Sequence, residues 1–154
     1  NTLAGLSMSL STYGGADIVN LNTLQTGLTQ ADYQDIATLV IEAFDINLSS
    51  LPFNPFTLIS KLPSFPGSMT VSTGDGADIV TANDLFSTMA IYIYLDAGDD
   101  QLFATGVESD FFAWFFGGAG TDGRLLTDID ALSELELQFE TILTGGTGGQ
   151  GGGA

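Results

Sequence analysis

Met69-Thr70-Val71-Ser72-Thr73-Gly74-Asp75-Gly76-Ala77-Asp78-Ile79-Val80 decides the fold, because the chain repeats it. Gly76-Ala77-Asp78 returns as Gly98-Asp99-Asp100 and as Gly120-Thr121-Asp122, so the aspartates stand 22 residues apart. The alternating run returns on the same step as Ile91-Tyr92-Ile93 and Ala113-Trp114-Phe115, and Leu135-Glu136-Leu137-Gln138-Phe139 falls on it again. Leu85, Val107 and Ile129 each follow their aspartate by seven residues. A fixed period of this size marks a solenoid, in which one repeat is one coil and the core exists only once coils stack.

Alternation of apolar and polar residues is strand periodicity with one buried face. It predicts Met69, Val71, Ile91, Ile93, Leu95, Phe115, Leu135, Leu137 and Phe139 inside. The glycine-rich segments read as corners, and Ile79-Val80-Thr81-Ala82 and Gln101-Leu102-Phe103-Ala104 as second strands. Parallel stacking at about 4.8 Å per coil turns equivalent side chains into ladders. The predicted fold is all-β, a parallel β-solenoid with coils of about 22 residues over 1–143, interrupted at 28–66.

The first coil is visible upstream. Tyr13-Gly14-Gly15-Ala16-Asp17-Ile18-Val19 matches Gly74 to Val80 at five of seven positions, but Asp17 and Asp78 are 61 residues apart, which is not a whole number of periods. The interruption begins with a helix over Thr29 to Phe44, with Thr29 as cap and Asp32 in the first turn. Tyr33, Ile36, Leu39, Val40 and Ala43 recur at helical spacing and predict a face packed on the solenoid as an end cap. Phe44-Asp45-Ile46-Asn47-Leu48 alternates like a strand. Leu51 to Pro66 holds all four prolines, which suit a loop or an edge. Residues 144–154 are almost wholly glycine and threonine, the composition of a flexible tail or linker. No capping helix follows Phe139, so that end is expected to be open to a further strand.

Nineteen acidic residues stand against Lys61 and Arg124 alone, a net charge of -17. A nucleic-acid partner is excluded, since nothing would hold phosphate, and an anionic membrane surface is disfavoured. No apolar run approaches the roughly 20 residues of a membrane span. The chain opens on Asn1, as a processed form or a piece of a longer protein would. Histidine and cysteine are absent, and neither Lys61 nor Arg124 belongs to a catalytic motif. Carboxylates could serve a glycosidase, but here they recur once per coil, as structural ladders do. The expectation is a protein that is not an enzyme. An ice-binding face is discounted too, because positions 70, 92, 114 and 136 read Thr, Tyr, Trp and Glu, not a flat threonine array.

Asp17, Asp75, Asp78, Asp96, Asp99, Asp100 and Asp122 collect in the corners, where stacking would bring carboxylates about 5 Å apart. Two readings stay open: a cation between them, or hydrogen bonds from the carboxylates to corner N–H groups. The corners resemble the glycine- and aspartate-rich calcium-binding repeats of hemolysin-type (RTX) secreted proteins. Gly117-Gly118-Ala119-Gly120-Thr121-Asp122 matches that nonapeptide best, and Gly123-Arg124-Leu125 then shifts its apolar position by one. The corners are also similar to the Gly-x-Gly-x-Asp-x-Val coils of long bacterial surface and secreted proteins. The resemblance implies an extracellular or cell-surface location and bound calcium (Ca2+), with the seven aspartates as ligands. Tyr92, Tyr94, Trp114 and Phe116 point outward as one aromatic ladder, too large to stay wet on a monomer. It is expected to be covered by Phe53, Phe56 and Phe65 of the insertion, to contact other copies of the chain, or to stack on a glycan. The leading expectation is an extracellular structural protein, a self-associating subunit of a filament, sheath or surface layer. The alternative is a calcium-dependent adhesin or carbohydrate-binding module of a larger surface protein.

Overall fold

The computed structural model describes residues 2–4, 7–44, 47, 54, 56–57 and 65–143. It is a parallel β-solenoid carrying one helix. In chain order the elements are β1 (Thr2–Ala4), β2 (Ser7–Ser11), β3 (Ile18–Thr26), α1 (Gln30–Ala43), β4 (Ser68–Ser72), β5 (Ile79–Ser87), β6 (Ala90–Tyr94), β7 (Gln101–Phe116), β8 (Gly123–Leu137) and β9 (Thr141–Ile142). Two columns of parallel strands result. One stacks β2, β4, β6 and the second halves of β7 and β8. The other stacks β1, β3, β5, the first halves of β7 and β8, and β9.

The 22-residue step appears directly as strand register, with Met69 beside Ile91 and Ile91 beside Ala113. Met69, Val71, Ile91, Ile93, Leu95 and Phe115 are fully buried, as alternation predicts. Val80, Leu85, Leu102 and Val107 close the core from the other column. The second strands run longer than expected, because each continues through one residue in the left-handed region: Thr23, Asp84, Gly106 and Asp128. These four positions are themselves in register, so the bend repeats coil after coil.

Corner glycines are dictated by stacking. Gly98 has φ +152°, and a Cβ there would fall inside the contact shell of the Gly76 carbonyl oxygen directly beneath it. Backbone lies on backbone at this column, and only glycine permits it.

The insertion leaves the stack intact. Met8 pairs with Met69 and Ile18 with Ile79, 61 residues on in each case. Subtracting one 22-residue coil from 61 leaves 39, the length of segment 28–66, so the first coil sits directly on the second. The neck closes where Leu28 and Phe65 exchange backbone hydrogen bonds of 3.2 and 2.9 Å. Thr88 pins it: its hydroxyl donates to the Phe65 carbonyl at 2.6 Å and accepts from Gly67 N–H at 2.9 Å.

Helix α1 begins where expected. Thr29 and Asp32 form a reciprocal capping box, and Gln25 Nε2 donates to the same Asp32 carboxylate at 2.9 Å. The expected packing face is absent. No helix residue is buried; Tyr33, Ala37 and Ile41 are half-covered, whereas Ile36, Leu39 and Val40 are exposed. The helix is tied through its first turn, by Asp32 and by Tyr33 against Phe65, not through a stripe laid on the sheet. Phe44 is its C-cap. The expected strand over 44–48, Phe53 and most of the proline-rich run, and the tail 144–154 lie outside the described residues, or nearly so.

The last coil departs from the predicted phase. A bulge between Ser109 and Phe112 in β7 shortens the step, so Ala113 pairs with Glu134, Trp114 with Leu135, Phe115 with Glu136 and Phe116 with Leu137. A one-residue slip moves every side chain to the opposite face. Leu135 and Leu137 therefore extend the outer face instead of the core, and Glu134 and Glu136 take the inner positions. Glu136, expected outside, pairs with Arg124, which stands over Leu102, and the Arg124 guanidinium lies 5.9 Å from the centre of the Phe139 ring. This end is thus not bare. Inward charges and a bulge close it, two devices that discourage pairing at a sheet end.

Candidate functional site

Stacking sorts the corner aspartates into two sets. Asp78, Asp100 and Asp122 are buried, Asp17 at the first coil is half-buried, and Asp75, Asp96 and Asp99 are exposed. Within the buried column each carboxylate serves the coil before it. Asp78 Oδ1 accepts from Asp17 N–H at 2.7 Å, Asp100 Oδ1 from Asp78 N–H at 2.7 Å, and Asp122 Oδ1 from Asp100 N–H at 2.9 Å. Glu140 ends the series, accepting from Asp122 N–H at 2.7 Å. Two of the exposed set bond across coils as well: Asp96 Oδ2 accepts from Ser72 Oγ and Gly74 N–H, and Asp99 Oδ1 from Thr121 N–H. Of the two readings of the corners, the hydrogen-bonded one describes these contacts.

The second oxygen of the column is unsatisfied. Oδ2 of Asp78, Asp100 and Asp122 is buried without a hydrogen-bond partner. Burial pushes the Asp100 carboxyl up to about 6, against the pull of its bond to Asp78 N–H, and the neighbouring carboxylates add to the rise. Burial raises Asp122 too, with Glu140 adding to it. Calcium takes six to eight oxygens. Among the described residues no group of three or more acidic side chains gathers closely enough to hold an ion. The buried column offers one free carboxylate oxygen per coil.

The outer face of the β2 column forms the second site. Tyr92 pairs with Trp114 and Tyr94 with Phe116 in strand register. Tyr94 and Phe116 stack in parallel at 4.7 Å, while Tyr92 meets Trp114 edge-on at 5.6 Å. Phe112 joins Trp114 at 5.1 Å. All five rings are half-buried, and the Trp114 indole nitrogen is buried with no acceptor among the described residues. Phe65, expected to cover them, packs on Tyr33 instead. The rest of this face is serine and threonine from β2 and β4, then Leu135 and Leu137, so its strand positions carry no charge in a chain of net -17, and only the Asp96 carboxylate reaches its margin at Ser72.

Sequence reasoning missed a third feature. The left-handed bend folds Asp84, Glu108, Asp128 and Asp130 around an open groove of about 390 Å³. Its signal was available: Thr23, Asp84, Gly106 and Asp128 each follow a corner aspartate by six. Among the described residues no helix is long and apolar enough to cross a membrane. Comparison with known proteins returns no matching family model, curated protein or solved structure.

Proposed function

We propose that this chain is a non-enzymatic extracellular structural protein, a self-associating β-solenoid subunit of a filament, sheath or surface layer. The observation that carries the reading is the uncharged aromatic face. It is mounted on a rigid sheet and continues round the corner into exposed Met89, Phe111 and Leu132. An apolar patch of this extent on a highly charged chain marks a contact surface. The lid of Arg124 and Glu136 disfavours growth by end-on stacking at the β8 end, so association runs through the side. Calcium enters this reading only as a counter-ion for exposed Asp75, Asp96 and Asp99.

The second reading is an adhesin or carbohydrate-binding module. Stacking on a sugar needs an open ring face. Tyr94 and Phe116 spend theirs on each other, and Trp114 meets an edge, which favours a protein contact over a glycan. Electron microscopy of the full chain, with calcium and then with chelator, tests both. Ordered assemblies support the structural role, and their loss on chelation would bring calcium into it. Isolated particles under both conditions, together with glycan binding abolished by Trp114→Ala, would replace it with the adhesin.

A further inference from the structure

Two apolar surfaces stay exposed among the described residues, and they lie at one edge. Helix α1 and its C-cap present Ile36, Leu39, Val40 and Phe44 along one side, with exposures of 46, 65, 45 and 75%. The residues preceding each strand of the β2 column form the other: Met89, Phe111 and Leu132 are exposed at 40, 45 and 78%, and Phe111 runs on through Phe112 to Trp114. Gly67 is the first member of that same corner column, so the insertion is rooted there. The apolar strips are rimmed by exposed acids, Asp35 and Glu42 beside Leu39 and Asp110 beside Phe111. A helix laid on a sheet face is a standard way to bury both.

We infer that α1 of one copy packs on the Met89–Phe111–Leu132 corner and aromatic face of a second copy, and that the exchange is reciprocal. The inference rests on the self-association reading and names its contact. Area decides for reciprocity. The exposed helix stripe amounts to about 450 Å² and the corner with its face to about 500 Å² of apolar surface, given rings of roughly 150–250 Å² each. One helix on one face buries about 950 Å² in total, less than the roughly 1,200 Å² of a stable interface; two such contacts about a two-fold axis bury about 1,900 Å². Charge limits the contact to these strips: two chains of net -17 repel, so Asp35, Glu42 and Asp110 stay at its solvated rim while the apolar residues meet.

The absence of cysteine makes a cross-linking test clean. Leu39→Cys and Phe111→Cys full-length chains are purified separately, mixed and oxidised. The expected product is the mixed disulfide dimer, formed at least about fivefold faster than either homodimer, as effective concentration at a specific contact requires. Equal rates would overturn the inference. An intrachain disulfide in a dilute Leu39→Cys/Phe111→Cys chain would overturn it too, by placing the cover within one copy. Sedimentation velocity supplies the second arm. Leu39→Glu and Phe111→Glu, both at exposed positions, should each weaken association about tenfold or more with unchanged circular dichroism. If Phe111→Glu disperses assemblies and Leu39→Glu does not, sheets pair without the helix; this inference falls and the self-association reading stands. A wild-type chain monomeric at every concentration would remove both.

Discussion

Replacing Asp100 by asparagine tests the buried carboxylate column. The ordinary carboxyl value of 3.8 rises to about 6 in the fold, so the folded state holds the proton more tightly than the unfolded chain. The sign follows: ionising Asp100 destabilises the fold, and stability falls as pH rises from about 4 through about 6. Converted at about 1.4 kcal/mol per unit and reduced for solvent screening, the ionised side chain costs about 2 kcal/mol at pH 7.5, and wild type gains roughly 1 kcal/mol on moving to pH 5 from this residue. Asp100→Asn keeps an acceptor for Asp78 N–H and removes the charge. It should therefore be more stable than wild type at pH 7.5, by about 1 to 3 kcal/mol, and show a shallower pH dependence. Asp100→Ala loses the acceptor too and gives back about 1–3 kcal/mol of that gain. Urea unfolding at about pH 7.5 and pH 5 measures all three, staying above the isoelectric point near 4.1. If Asp100→Asn is the less stable chain at pH 7.5, or keeps the full wild-type slope, the reasoning fails.

Gly98→Ala should cost several kcal/mol in urea unfolding, more than the about 1 kcal/mol typical of a substitution, because backbone must separate from backbone at that corner. Arg124→Met should destabilise by about 1–3 kcal/mol by stranding Glu136 at the end of the core, and adding Glu136→Leu should restore most of it; additive losses in thermal unfolding would show that the pair is not coupled. Thr88→Val removes the hydroxyl that pins the insertion neck and should cost about 1–2 kcal/mol, with faster proteolysis within 28–66 read by mass spectrometry. Association should strengthen as salt rises from about 0.01 to 0.15 M, since screening weakens like-charge repulsion; dispersal by salt in sedimentation would argue for an ionic contact instead.

Some of this was legible from spacing alone. Equivalent residues in a solenoid must stack, so a strict 22-residue step fixed the coils, the inward set from Met69 to Phe115 and the glycine corners. The capping pair Thr29 and Asp32 was equally plain, because helix caps are local. Other features depend on contacts far apart in the chain. Asp17 sits on Asp78 because the 39-residue insertion loops out whole, and no local signal says that the stack closes beneath it. Asp78, Asp100 and Asp122 are buried while Asp75, Asp96 and Asp99 are wet, although all read alike as corner acids; the bend of each coil decides which turn inward. The bulge between Ser109 and Phe112 puts Glu136 on Arg124 and Leu135 on Trp114, reversing the phase of the last coil. Alternation is satisfied equally well by either phase, and only the pairing with β7 selects one. The stripe of α1 follows the same rule: periodicity shows that a helix has an apolar face, and tertiary structure alone shows whether anything lies against it.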